Sequence, residues 1–181
     1  MVIQLLDEIE KYLSNELEKE NFSMPKLPNE GNIGIDDVKM VVPKIAKGCL
    51  PHENFGLYGA TEGFFQAPYG LINISKINQN FDSSTIECLF QACTVSSSDY
   101  EGSVLPDNKG YEDLFLFLEW VKQKLIGRWM FGRNTLSENI EIGTYNTKEM
   151  TYPFSFGYVS FSLTGRGIEV KRNKFDNLSE S

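Results

Sequence analysis

The chain is short of cysteine, histidine and positive charge. Its 181 residues hold three cysteines, one histidine and 17 Lys plus Arg against 25 Asp plus Glu, a formal net charge of −8 at pH 7. Cys49, Cys88 and Cys93 are odd in number and form no CxxC pair, so no disulfide framework is supported and buried, reduced thiols are expected. Cys88 and Cys93 lie five positions apart in one strand pattern, which turns them to opposite faces and prevents a bond between them. The lone His52, beside Pro51 and Glu53, reads as a surface residue, and no metal site is expected. An acidic chain lacks the Lys and Arg surplus that phosphate binding needs, which argues against a general nucleic-acid binder. No apolar run approaches the roughly 18 residues of a membrane span, and MVIQLLDEIEKYL carries acids where a signal peptide needs bases, so a cytoplasmic product with no membrane partner is expected. The phosphate-binding motifs G-x-G-x-x-G and G-x-x-x-x-G-K-[ST] are missing, as is the nucleophile elbow G-x-S-x-G; neither a catalytic set, nor a cofactor, nor an enzyme is expected.

Aromatic and apolar residues are plentiful instead. Hydrophobic residues make up 41% of the chain, with 13 Phe and 8 Tyr, enough to build one core at this length. A single α+β domain over residues 1–170, a mostly antiparallel sheet flanked by an N-terminal amphipathic helix and a central helix, is the expected architecture, with a polar tail at 171–181. Val2, Leu5, Leu6, Ile9, Tyr12, Leu13 and Leu17 share one face of a helix over residues 1–20. The acids Glu8, Glu10, Glu16, Glu18 and Glu20 fall on the polar side and read as a solvated face. Residues 21–34 read as a connector, and Asp36 or Asp37 as the cap of a short helix through Val38, Val41 and Val42 that Pro43 interrupts or ends. Residues 48–68, rich in Gly and aromatics, read as a long ordered loop or irregular hairpin.

Further along, Tyr69–Ile77 and the alternating STIECLFQACTV read as an antiparallel hairpin turned at 78–84. Ile86, Cys88, Phe90 and Ala92 form its buried face. A polar, acidic connector follows at 96–110, and then a helix from about Tyr111 with Leu114, Leu118, Val121 and Leu125 as its core stripe and Phe115, Phe117 and Trp120 on the flanks. Glu112 and Asp113 suit its first turn, and Lys122, Lys124 and Arg128 its end. So wide an apolar arc predicts cover on a second side, from the N-terminal helix or another chain. Ile140 and Ile142 mark a short strand. In the last strand Phe154 and Phe156 share one phase and Val159, Phe161 and Leu163 the other, which predicts a β-bulge at Gly157 or Tyr158.

This succession of an amphipathic helix, KGCLP, APYGLINI, STIECLFQACT, the acidic loop, GYEDLFLFLEWVKQKL and YPFSFGYVSFSL resembles the tail terminator (tail completion) proteins of tailed phages and phage tail-like bacteriocins, which are like the phage lambda U protein in fold. The resemblance spans about residues 1–170 and rests on element order and short patterns. It implies a subunit, made in a bacterial host's cytoplasm, that forms a homohexameric ring on the end of the tail tube. Such a ring stops tube growth, presents a face to the neck, collar or sheath, and passes DNA without specific binding. Another neck or head-completion adaptor of the same particle is the alternative. Residues 130–139 look like an addition to the family's shorter connection. The expected partner interface comprises Asp99, Glu101, Val104 and Leu105 in the acidic connector, Phe115 and Trp120 on the helix, and Phe154 and Phe156 in the last strand.

Overall fold

The computed structural model describes residues 2–26, 39–48, 67–80, 83–96, 109–145 and 154–166. Two helices, α1 (Val2–Glu20) and α2 (Lys109–Arg128), are accompanied by strands β1 (Met24–Lys26), β2 (Lys39–Val41), β3 (Lys44–Lys47), β4 (Tyr69–Gln79), β5 (Ser83–Val95), β6 (Met130–Phe131), β7 (Asn134–Thr144) and β8 (Phe154–Arg166). β1 and β2 pair as a small antiparallel ribbon, while the other six strands form one sheet in the order β3-β4-β5-β8-β7-β6. All its pairings are antiparallel except β3 with β4. This is the expected α+β domain.

Alternation decides which face is covered. Ile72, Phe90 and Val159 lie side by side across three strands, as do Cys88 with Phe161 and Ile86 with Leu163, and all are buried. Both helices pack on this face. Leu5, Ile9, Leu13 and Leu17 recur every fourth residue and bring one stripe of α1 to the core; Leu114, Leu118, Val121 and Leu125 do the same for α2. Phe117, expected on the flank of α2, is fully buried and meets Phe90 edge-on at 5.6 Å. The sheet curls around the helices so that both of its edges reach α1. At one edge Lys47 of β3 pairs with Asp7; at the other Phe131 of β6 packs against Tyr12 at 5.8 Å.

Four expectations are corrected. Residues 39–42 form no helix: Lys39–Val41 is strand β2, and β3 begins at Lys44. The β-branched residues Val41, Val42 and Ile45 suit extended backbone, and Pro43 has no N–H for a helix interior. The strand marked by Ile140 and Ile142 runs over eleven residues and is fed by β6 through a turn with Gly132 at φ 58°, so residues 130–139 are part of the sheet. β8 has no bulge: its thirteen pairs with β5 run in unbroken register, and Phe154 and Phe156 face away from the main core. Gly157 keeps that register because a Cβ there would stand 2.8 Å from Leu118 Cδ1 and 3.1 Å from Leu114 Cδ2; the glycine seats α2 on the sheet. The irregularities fall instead between Ile74 and Lys76 and between Leu136 and Ile140.

The fourth correction concerns the acids of α1. Glu8, Glu16 and Glu20 pair with α2 rather than only facing solvent. Lys124 Nζ donates to Glu16 at 2.9 Å and also to Glu20, whose second oxygen accepts the Trp120 indole N–H at 2.8 Å. Arg128 binds Glu8 while its guanidinium lies 4.7 Å from the Tyr12 ring and 4.9 Å from the Phe131 ring. The Lys124 hydrogen bonds hold Glu16 and Glu20 below the ordinary glutamate value of 4.5 and push Lys124 up. A depressed folded-state carboxyl contributes stability above its unfolded pKa and loses it as pH falls through the folded value. Lys124→Met is therefore expected to lower the melting temperature at pH 7, and the gap to the native chain should close as pH drops below about 4.5. Melting curves recorded from pH 7 to 3 check this; a gap that persists at pH 3 assigns the loss to packing of the lysine stem instead.

Candidate assembly surface

Of the expected interface, Phe154 and Phe156 stand at one end of the sheet. Phe154 pairs with Val95 and Phe156 with Cys93 at the end of β5. On the face opposite the helices these side chains form a second apolar cluster with Ala67 and Tyr69. Phe154 and Phe156 are half-buried, their ring centroids 6.5 Å apart. The start of α2 is fastened to the same end: Thr94 Oγ1 donates to the Gly110 carbonyl at 2.5 Å and the Gly110 N–H to Ser96 Oγ at 3.1 Å. A Cβ on Gly110 would stand 2.6 Å from the Ser96 nitrogen, so only glycine permits this junction. Ser96 and Gly110, on either side of residues 97–108, are thus held against each other. Its Asp99, Glu101, Val104 and Leu105 lie outside the described residues.

From this junction α2 presents two shoulders beside its buried stripe. Trp120 and Lys124 turn toward α1, where Trp120 stacks at 5.3 Å on Phe22 and bonds Glu20. Trp120 is thus engaged within its own chain, nearly three turns along α2 from Gly110. Tyr111 and Phe115 project from the opposite shoulder, one turn apart with ring centroids at 4.9 Å. They are 47% and 37% exposed; Ile126, also 47% exposed, lies further along the same flank, beyond the Glu119–Lys122 ion pair. Beyond the helix, Trp129 and Met130 are also exposed; Trp129 sits in the left-handed region at φ 46° and ends α2. Sequence reasoning named Phe115 and passed over Tyr111, Ile126, Trp129 and Met130. The signal available for the shoulder was the spacing 111, 115, 126, which falls about 60–120° from the core stripe at 100° per residue.

Elsewhere on the outer face, Asn73 donates to Gln91 at 3.4 Å and Gln91 to the Tyr145 hydroxyl at 2.9 Å, with Tyr145 and Tyr158 in ring contact at 5.3 Å. Burial pushes the Cys88 and Cys93 thiols up to about 12, which keeps them protonated and poor nucleophiles near neutral pH. Burial, with Cys93 beside it, also pushes the Tyr69 phenol up to about 12. Among the described residues no group of three or more His, Cys, Asp or Glu is placed to hold a metal ion, and no helix is long and apolar enough to cross a membrane. No family model matches the chain, and a search of curated proteins returns no match.

Proposed function

We propose that the chain is the structural subunit of a ring that caps the tube of a phage tail or tail-like particle, ends tube growth and links the tube to a neck or collar. The observation that carries this reading is the exposed Tyr111–Phe115 pair in the first two turns of α2, beside the Gly110 junction that follows the acidic connector. Exposed aromatics grouped in this way mark protein-contact surfaces. A neighbour in a closed ring would meet the same shoulder on every subunit, as cyclic assembly requires. The order of elements, with an amphipathic helix, a hairpin, a second helix and a closing strand around one sheet, is the order that the tail terminator resemblance implies. The net charge of −8 suits a channel that lets DNA pass.

Electron microscopy of particles made with and without this chain tests the reading. Six copies at the tube end are expected in its presence, and tubes of excessive, variable length in its absence. Tubes of normal length with sealed ends in the deletion would overturn the capping role, and one or two copies per tube end would point to a neck adaptor.

A further inference from the structure

The chain's acidic α1 and its open sheet edge together form a groove that the ring reading leaves unused. β3 is the last strand of its sheet, and no described strand pairs with its outer side. The N–H groups of Lys44 and Gly48 point inward, bonding the carbonyls of Pro68 and Ile72. Backbone groups alternate sides along a strand, so Ile45 and Lys47 turn their N–H and C=O outward. Beside that edge lies a groove of about 300 Å³ lined by Val42–Ala46 and, on α1, by Glu10, Ser14 and Glu18. The three α1 residues are four apart and form one flank of the helix. Neither Glu10 nor Glu18 has an ion-pair partner among the described residues, whereas Asp7, on the same side of α1, is matched to Lys47. Open backbone bonds beside two unmatched carboxylates suit an extended, basic peptide.

The chain carries such a peptide in IEVKRNKF (168–175), where β-branched Ile168 and Val170 precede Lys171, Arg172 and Lys174. Reach decides whose copy docks. Ala46 of β3 pairs with Leu71, Leu71 with Gln91 and Gln91 with Tyr158, so the groove lies level with Tyr158 of β8. Arg166, where β8 ends, is eight residues further on, about 27 Å along the strand, with three strand spacings of about 4.8 Å still to cross. Lys171 is five residues beyond Arg166 and reaches at most about 18 Å. Measured along the sheet at these spacings, five residues are too few to carry Lys171 back to its own groove, which favours a second copy as the donor. We propose that residues 168–175 of a second copy add as a strand to the open edge of β3, with Lys171, Arg172 and Lys174 answering Glu10 and Glu18. This inference deepens the self-assembly reading and names one contact within it.

The test measures fluorescence anisotropy of a labelled 167–181 peptide against the full chain, at concentrations where sedimentation finds monomer. Saturable binding is expected, at least 10-fold weaker for Glu10→Lys/Glu18→Lys and at least 10-fold weaker for a peptide carrying Lys171→Glu, Arg172→Glu and Lys174→Glu. The altered peptide should regain affinity for the altered chain. The peptide substitutions ask nothing of folding, so they decide the matter even if the chain variant melts. Absence of saturable binding to the native chain would overturn the proposal and assign the groove to another occupant, and equal binding of a scrambled peptide would overturn strand addition by this sequence. Specific peptide binding by a chain that forms no sixfold ring at tube ends would overturn the ring and keep the docked tail. Sixfold rings from a chain that binds no peptide would do the reverse.

Discussion

Gly157→Val is expected to lower the melting temperature by roughly 10 °C, a loss of about 3 kcal/mol in a chain of this size. The Cβ alone would stand 2.8 Å from Leu118 Cδ1, 3.1 Å from Leu114 Cδ2 and 2.9 Å from the Gly143 carbonyl oxygen. The leucine tips have limited room to move because both residues are fully buried, and the carbonyl belongs to β7, whose Thr144 is paired with Gly157 itself. Relief must come by lifting α2 from the sheet or by parting β7 from β8, and either exposes core. Gly157→Ala should show a smaller loss of the same origin. A thermal scan of both variants checks the ranking. A native-like melting temperature for the valine variant would mean that α2 is seated by other contacts and that the glycine answers some other need.

The same glycine shows where reading residues in order succeeds and where it stops. A change of phase between Phe156 and Val159 is visible in the sequence. Two remedies fit it: a bulge that turns all five side chains inward, or a straight strand whose first part serves a different cluster. The choice depends on Cys93, Val95 and Tyr69, which come from strands about 60–90 residues earlier and supply Phe154 and Phe156 with a second apolar site. Helix faces were legible for a related reason. The stripes of α1 and α2 repeat every three or four residues, so local periodicity alone identifies Leu13 or Leu118 as core. Ion pairs between elements and cross-sheet neighbours have no such local signature. Glu16 and Lys124 are 108 residues apart, and nothing near either residue announces their bond. The parallel pairing of β3 with β4 was hidden likewise, since Lys44–Lys47 is four residues long and lies beyond a proline. Of the expected interface, Phe115 was legible as surplus on an already complete stripe, whereas Trp120, equally surplus by count, is claimed by Phe22 and Glu20.

Replacing both Tyr111 and Phe115 by aspartate is expected to leave folding nearly intact and to abolish assembly. Neither side chain belongs to the main core; they touch each other at 4.9 Å and are 47% and 37% exposed, so each substitution removes little buried area and should shift the melting temperature by only a few degrees. Both positions lie in the first two turns of α2, where added carboxylates meet the favourable end of the helix dipole, which partly offsets the lost ring contact. In an interface the balance is different. Aromatic anchors at the centre of a contact are worth about 2 kcal/mol or more each, and a buried unpaired carboxylate adds its own desolvation cost. Two such changes weaken a contact by about 100-fold or more, and a ring repeats the contact at every subunit boundary. Gln123→Asp serves as the control, since Gln123 is exposed on the side of α2 facing away from the core stripe. Recovery of the chain with purified tubes, together with counts of capped ends in micrographs, reads the outcome: capping lost in the double aspartate variant and retained in the control. Full capping by a folded Tyr111→Asp/Phe115→Asp chain would remove this shoulder from the interface. Loss of the fold in that variant would show instead that the shoulder is covered within the chain, and the ring contact would then have to be sought at Phe154 and Phe156.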